Sequence, residues 1–223
     1  MAETTRVCLH DRAGLGQSDP PLATEHRTSA SAARDLEAAL QAAGIEPTYL
    51  LAGHSIGGLN ALVFSSLYDD QVAGLVLISS THPKQVQSWL AEFPAPAADE
   101  PAAVTRSRNY LTTIESDPSL NPERMDVAAS NAGADRLRTL GDRPVIVATH
   151  SPNWRMEPEL PEPLAGRLEA VTQDLQRQFL LLSSASVQVV APTAGHGLPH
   201  EDPDFVAAAI LQGVASVRAR RRF

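Results

Sequence analysis

The chain has 223 residues, enough for one large domain or two small ones, and 43 % of them are apolar while only 4 % are aromatic. A formal net charge of -8 argues against a dedicated nucleic-acid role, and no apolar run approaches the roughly 20 residues of a membrane span. The single cysteine, Cys8, excludes an intrachain disulfide and, set in an apolar run, reads as a small buried hydrophobe. Met1-Ala2-Glu3-Thr4-Thr5-Arg6 lacks a basic stretch followed by a long apolar core, so a soluble cytoplasmic protein is the default expectation.

In chain order, residues 6–10 predict a short strand that runs into a Gly/Pro-rich loop over 11–20. Residues 29–43 are Ala-rich with Leu36 and Leu40 at helical spacing, and Gly44 follows as a helix stop. An apolar strand over 49–52 enters Gly53-His54-Ser55-Ile56-Gly57, and a helix over 59–68 leaves it. Residues 72–79 contain Leu75-Val76-Leu77-Ile78, an unbroken apolar run that suits a strand buried on both faces. From 83 to 140 the chain reads as polar helices interrupted at Pro94, Pro96, Pro101, Pro118 and Pro122. A strand over 145–148, a Pro/Glu-rich loop over 152–163, an amphipathic helix over 164–182, a last strand over 186–191 and a final helix over 204–217 complete the core. The basic run Arg218-Ala219-Arg220-Arg221-Arg222 reads as a solvated end.

Strands that alternate with helices predict an α/β fold, a mostly parallel sheet with helices on both faces. Ligands of such sheets bind beyond the carboxyl ends of the strands. Asp11, Ser55, Ser79, Thr149 and His196 all fall just past predicted strand ends and are expected along one edge.

G-x-S-x-G between a strand and a helix is the pattern of a nucleophile elbow, a tight turn that exposes one serine at its apex. Gly53 and Gly57 are expected where strand and helix leave no room for side chains. A serine hydroxyl is a poor nucleophile at neutral pH and needs a base within hydrogen-bond reach. Of the seven histidines, His196 is best placed, in Ala194-Gly195-His196-Gly197 after the last strand. His82 and His150 follow strand ends and remain candidates, while His54 is expected to point away, His26 lies in a polar loop and His200 reads as solvated. Trp89, Phe93, Trp154 and Met156 either pack the helical region or line an apolar pocket. No zinc-type Cys/His spacing, P-loop or dinucleotide-binding glycine pattern is present.

Asp11-Arg12-Ala13-Gly14-Leu15-Gly16-Gln17-Ser18, the Gly53–Gly58 elbow, and Gly195-His196 followed by Asp202-Pro203 together resemble the α/β-hydrolase superfamily. The resemblance implies a hydrolase core over 1–82 and 141–223 with a helical cap over 83–140. It implies Ser55 as nucleophile, His196 as general base and the Ile56 backbone N–H as one oxyanion donor, acting on a small ester or related acyl substrate with neither cofactor nor metal. A non-catalytic small-molecule-binding member that keeps the pocket is the alternative. The family carries three further strands and a helix ahead of its D-R-x-G strand, with a His-Gly loop that gives a second oxyanion donor. Because this chain opens five residues before that strand, residues 6–10 are expected either to slide across and pair with 49–52 or to leave open edges. The family takes its acid from the loop that here reads Thr149-His150-Ser151-Pro152-Asn153-Trp154, with no carboxylate, or from the position that here holds Ser79. Glu157 and Glu159 are nearest and read as solvated, so the acid stays unassigned.

Overall fold

The computed structural model describes residues 3–21, 27–121 and 123–220; His26, Pro122, Arg221 and Arg222 lie outside the described residues. Four strands, β1 (Tyr49–His54), β2 (Val72–Ile78), β3 (Val145–Thr149) and β4 (Ser186–Val190), form a parallel sheet in the order β1-β2-β3-β4. The helices are α1 (Ser29–Ala42), α2 (Ile56–Leu67), α3 (Gln85–Leu90), α4 (Ala102–Ile114), α5 (Val127–Ala134), α6 (Glu162–Gln178), α7 (Leu198–Glu201) and α8 (Pro203–Arg220). None of them is long and apolar enough to cross a membrane.

The two central strands explain the unbroken apolar runs. Side chains alternate across a strand, so Leu75 and Leu77 join Val145 and Val147 on one face, with Leu59, Leu62 and Phe64 of α2 and Ala33 of α1. Val76 and Ile78 join Ile146 and Ala148 on the other, beneath Leu198, Val206 and Ala209. Each Val, Leu, Ile or Phe among them contributes roughly 1.5–3 kcal/mol when fully buried. Helix α1 starts at a Thr28–Ser31 capping box, and Gly44 follows its end at φ 60°. Helix α2 starts at Ile56, three residues before its expected start, because Gly57 and Gly58 hide a helix onset from propensity. Helix α6 stops at Gln178 and tightens into a 3-10 turn over Phe179–Leu182.

The expected strand over 6–10 does not form. The segment has no ladder partner and lies exposed, with Leu9 94 % accessible and Cys8 exposed rather than buried. A strand is stabilised by cross-strand pairs, and five residues that neither pair nor bury a face have none. Strand β1 is therefore an edge of the described sheet, partly exposed along most of its length.

Between β2 and β3 the chain runs through α3, α4 and α5. Trp89, Val104 and Leu111 pack against Leu160, Leu164 and Leu168 at the start of α6 in a third apolar cluster. Arg12, in the loop after residue 10, pairs with Glu123 through two hydrogen bonds of 2.6 and 2.7 Å, tying the amino-terminal loop to this helical segment.

Candidate active site

The turn from β1 into α2 is as tight as the glycine pattern demands. Ser55 sits at φ 53°, ψ -124°, a backbone conformation that costs a non-glycine residue about 1–3 kcal/mol. A Cβ on Gly53 would lie 2.3 Å from the Gly57 carbonyl oxygen, and one on Gly58 would lie 1.9 Å from Ser80 Oγ. A Cβ on Gly57 would meet only Arg12 Nη1, at 3.8 Å, so the sterically required pair is Gly53 and Gly58 rather than Gly53 and Gly57. The turn is fixed by the Ser55 N–H, which donates to the Ile78 carbonyl at 3.1 Å, and by the Thr81 and Gly58 N–H groups, both of which donate to the Ser55 carbonyl at 3.0 Å. Ile56 is the first residue of α2, so its N–H has no intrahelical acceptor.

From Ser55 a line of polar side chains runs inward. Ser55 Oγ lies 3.0 Å from His196 Nε2. His196 Nδ1 lies 2.9 Å from Ser79 Oγ, which lies 2.5 Å from His150 Nδ1. His150 Nε2 in turn lies 3.0 Å from Glu169 Oε1 on α6. The inner members are buried: Ser79 and His150 are each 2 % accessible and Glu169 5 %. The Gln173 amide donates to Glu169 Oε1 at 2.8 Å and to the His150 carbonyl at 3.1 Å, fixing both. Ser79, at the end of β2, is the second serine of the site with a positive φ, at 41°.

The loop that carries His196 is pinned on two sides. The Gly195 N–H donates to the Glu201 carboxylate at 2.6 Å. His54 Nε2 donates to the His196 carbonyl at 2.7 Å, so His54 braces the loop that carries His196. Trp154 stacks on the His196 ring at 6.0 Å between centroids. Burial, reinforced by His54 and His150, lowers the His196 pKa to about 4, against a weaker opposing effect of Glu201. His196 is thus neutral at pH 7 and its Nε2 can take a proton from Ser55. Ser55, Ser79 and His196 open onto a cavity of about 250 Å³ whose walls include Trp89, Phe93, Trp154 and Met156. Among the described residues no group of three or more His, Cys, Asp or Glu side chains is placed to hold a metal ion.

A sequence profile described as "alpha/beta hydrolase fold" matches residues 2–141. The chain belongs to the alpha/beta hydrolase fold family. An "AB hydrolase superfamily protein" of Gibberella zeae is 24 % identical over 265 residues, covering 98 % of this chain and 80 % of that protein. A protein named "Probable transporter efuK" from Hormonema carpetanum is 27 % identical over 262 residues, covering 99 % of this chain and 37 % of that protein. The chain therefore spans little more than a third of that relative's length. Among solved structures, a thermophilic esterase from Thermogutta terrifontis superposes with a TM-score of 0.55 at 23 % identity, covering 93 % of this chain and 78 % of the esterase.

Within this alpha/beta hydrolase chain, Ser55, Ser79 and His196 meet as their positions past strand ends predict. Asp11 and Thr149 do not join them. Asp11 is exposed and accepts the Gln17 N–H at 3.1 Å, organising its own loop, and Thr149 Oγ1 accepts from the Gln188 amide at 2.9 Å. Glu157 and Glu159 are both exposed, and Glu159 pairs with Arg106. His82 packs against Phe179 in a tilted pair, 4.9 Å between centroids, and His200 is exposed. The residue that sequence reasoning missed is Glu169. Its signal was available: it falls on the apolar stripe of α6, among the buried Leu164, Ala165, Leu168 and Thr172. A carboxylate on a buried stripe requires a partner.

Proposed function

We propose that the chain is a serine hydrolase acting on a small ester or related acyl substrate. The observation that carries the reading is the 3.0 Å contact between Ser55 Oγ and a neutral His196 Nε2 at the wall of an apolar-lined cavity. Ser55 Oγ attacks the acyl carbon while His196 Nε2 takes its proton. The Ile56 N–H, free of an intrahelical acceptor, donates to the oxyanion that develops. Collapse of the tetrahedral species breaks the bond to the alcohol, which leaves with the proton from His196. Water then attacks the acyl-serine, again giving a proton to His196, and the acid departs as Ser55 recovers its hydrogen. Trp89, Phe93 and Met156 supply apolar contact for the acyl group. The esterase likeness agrees with this chemistry without choosing the substrate.

A fluorophosphonate probe tests the reading. The folded wild type is expected to be labelled at Ser55, the Ser55→Ala chain to remain unlabelled, and His196→Ala to label at least about a hundredfold more slowly. A folded wild type that takes no label overturns the hydrolase reading and leaves a small-molecule-binding member of the family in its place.

A further inference from the structure

We propose that Glu169, acting through His150 and Ser79, is the acidic end of this site: it fixes which nitrogen of His196 bears the proton and so turns the lone pair of Nε2 toward Ser55. The inference rests on the Ser55–His196 hydrolase reading for its consequence, but its geometry stands apart from that reading. It concerns three residues that act through His196, and none of them faces the acyl group as a nucleophile or base.

The direction of the line follows from what each group can donate. An ionised carboxylate only accepts, so at Glu169 Oε1 the hydrogen comes from His150 Nε2, 3.0 Å away. The proposed line places a single hydrogen on His150, on Nε2, so that Nδ1 presents a lone pair. The hydrogen in the 2.5 Å contact with Ser79 therefore belongs to the Ser79 hydroxyl. Having given its only hydrogen to His150, Ser79 Oγ can only accept from His196, so the 2.9 Å contact is an N–H donation from His196 Nδ1. A neutral His196 protonated on Nδ1 has its lone pair on Nε2, which accepts the Ser55 hydroxyl hydrogen at 3.0 Å. With one hydrogen on each imidazole and none on the carboxylate, each junction allows one direction, and reversing any one of them leaves two hydrogens or two lone pairs facing each other.

The surroundings hold this line in place. Glu169, His150 and Ser79 are all at least nineteen-twentieths buried, so bulk water does not compete for the inner contacts. Gln173 donates to both Glu169 and the His150 carbonyl, which sets the spacing between α6 and the end of β3. Ser79 holds a positive φ, 41°, and its N–H is fixed to the Ala148 carbonyl at 2.7 Å, anchoring the hydroxyl between the two histidines. In a serine–histidine pair the orienting acid keeps the base in the productive tautomer and steadies the imidazolium that forms. Here His196 has no carboxylate on its Nδ1, and the line of hydrogen bonds ends on one.

The test reads the tautomer directly. Nitrogen-15 chemical shifts of the His196 ring in the folded wild type are expected to show Nδ1 protonated and Nε2 unprotonated near pH 7. Glu169→Met removes the acceptor at similar length and frees His150 to carry its hydrogen on either nitrogen. The His196 signals are then expected to move toward a mixture of tautomers, and fluorophosphonate labelling to slow by up to about 10⁴-fold, the loss seen when an orienting acid is replaced. Ser79→Ala cuts the line at its centre and is expected to move both readouts the same way, which keeps the test decisive if Glu169→Met does not fold. A wild type with His196 protonated on Nε2, or a folded variant whose tautomer or labelling rate is unchanged, overturns the proposal. Failure of the hydrolase reading looks different, since an unlabelled wild type can still carry the Nδ1 tautomer set by Glu169.

Discussion

Ser55 and Ser79 end neighbouring parallel strands, and both hold positive φ angles, 53° and 41°. The two conformations are maintained by backbone bonds to the next strand in: Ser55 N–H to the Ile78 carbonyl, and Ser79 N–H to the Ala148 carbonyl. Strain at both points is offset by the packing of β2 and β3, which is why the two hydroxyls, one half-buried and one buried, can be held at fixed separation from one histidine. The glycines that permit this are specific. Gly58→Ala would drive a methyl group into the Ser80 side chain, whose Cβ would be 2.4 Å away. It is expected to destabilise the chain by roughly 1–3 kcal/mol, as overpacking of a tight core does. Gly57→Ala meets nothing closer than 3.8 Å and lies in the first turn of a helix, so its effect is expected within about 1 kcal/mol of zero. Urea unfolding midpoints of the two variants decide the matter, and equal losses would contradict the geometry.

Elements were legible in the sequence wherever an apolar period met its own stop signal. Strands β2 and β3 were visible because both faces are covered, and α1 because Leu36 and Leu40 at helical spacing run up to Gly44. Residues 6–10 looked like a strand because local composition does not report whether a neighbouring edge exists to pair with. The Ser55–His196 pair was visible because motif and chain order fix both residues. The Glu169 end was legible only as a carboxylate on a buried stripe; that its partner is His150 depends on how α6 rotates and docks against β3, a tertiary fact that no spacing between the two residues encodes. The link between the amino-terminal loop and the helical segment was likewise invisible: Arg12 and Glu123 are 111 residues apart. Their side chains are 26 % and 15 % accessible, and the contact is bidentate, the geometry in which an ion pair does contribute. A double-mutant cycle with Arg12→Met and Glu123→Gln is expected to return a coupling of about 0.5–3 kcal/mol. A coupling indistinguishable from zero would mean that the loop is held to the helices by other contacts.

At the scale of the whole molecule, the buried histidines set the response to acid. Burial lowers both His82 and His196 to about 4, helped by Lys84 at His82 and by His54 and His150 at His196, and His54 is also lowered, chiefly by burial. In the unfolded chain the same side chains titrate near 6.5. Between those values the unfolded state binds more protons than the folded one, so stability rises with pH across the window. The contribution is complete above pH 6.5 and is lost as pH falls toward 4. A shift of that size corresponds to at most roughly 3 kcal/mol per histidine, because partial solvation and relaxation reduce it. Carboxylates act in a separate, lower window. Glu100 is lowered to about 2, first by its hydrogen bond from Arg108 and then by Thr105, so its contribution is lost only as pH falls from about 4.5 toward 2. Unfolding free energies measured in urea at intervals from pH 7 to 4 should therefore fall with a slope approaching about 1.4 kcal/mol per pH unit for each buried histidine. His82 lies away from the Ser55–His196 line, so His82→Gln should flatten that slope by about one histidine's share while leaving fluorophosphonate labelling at pH 7 unchanged. A profile that is flat from pH 6.5 to 4.5, or a slope that His82→Gln does not alter, would show that these rings open to water before the chain unfolds.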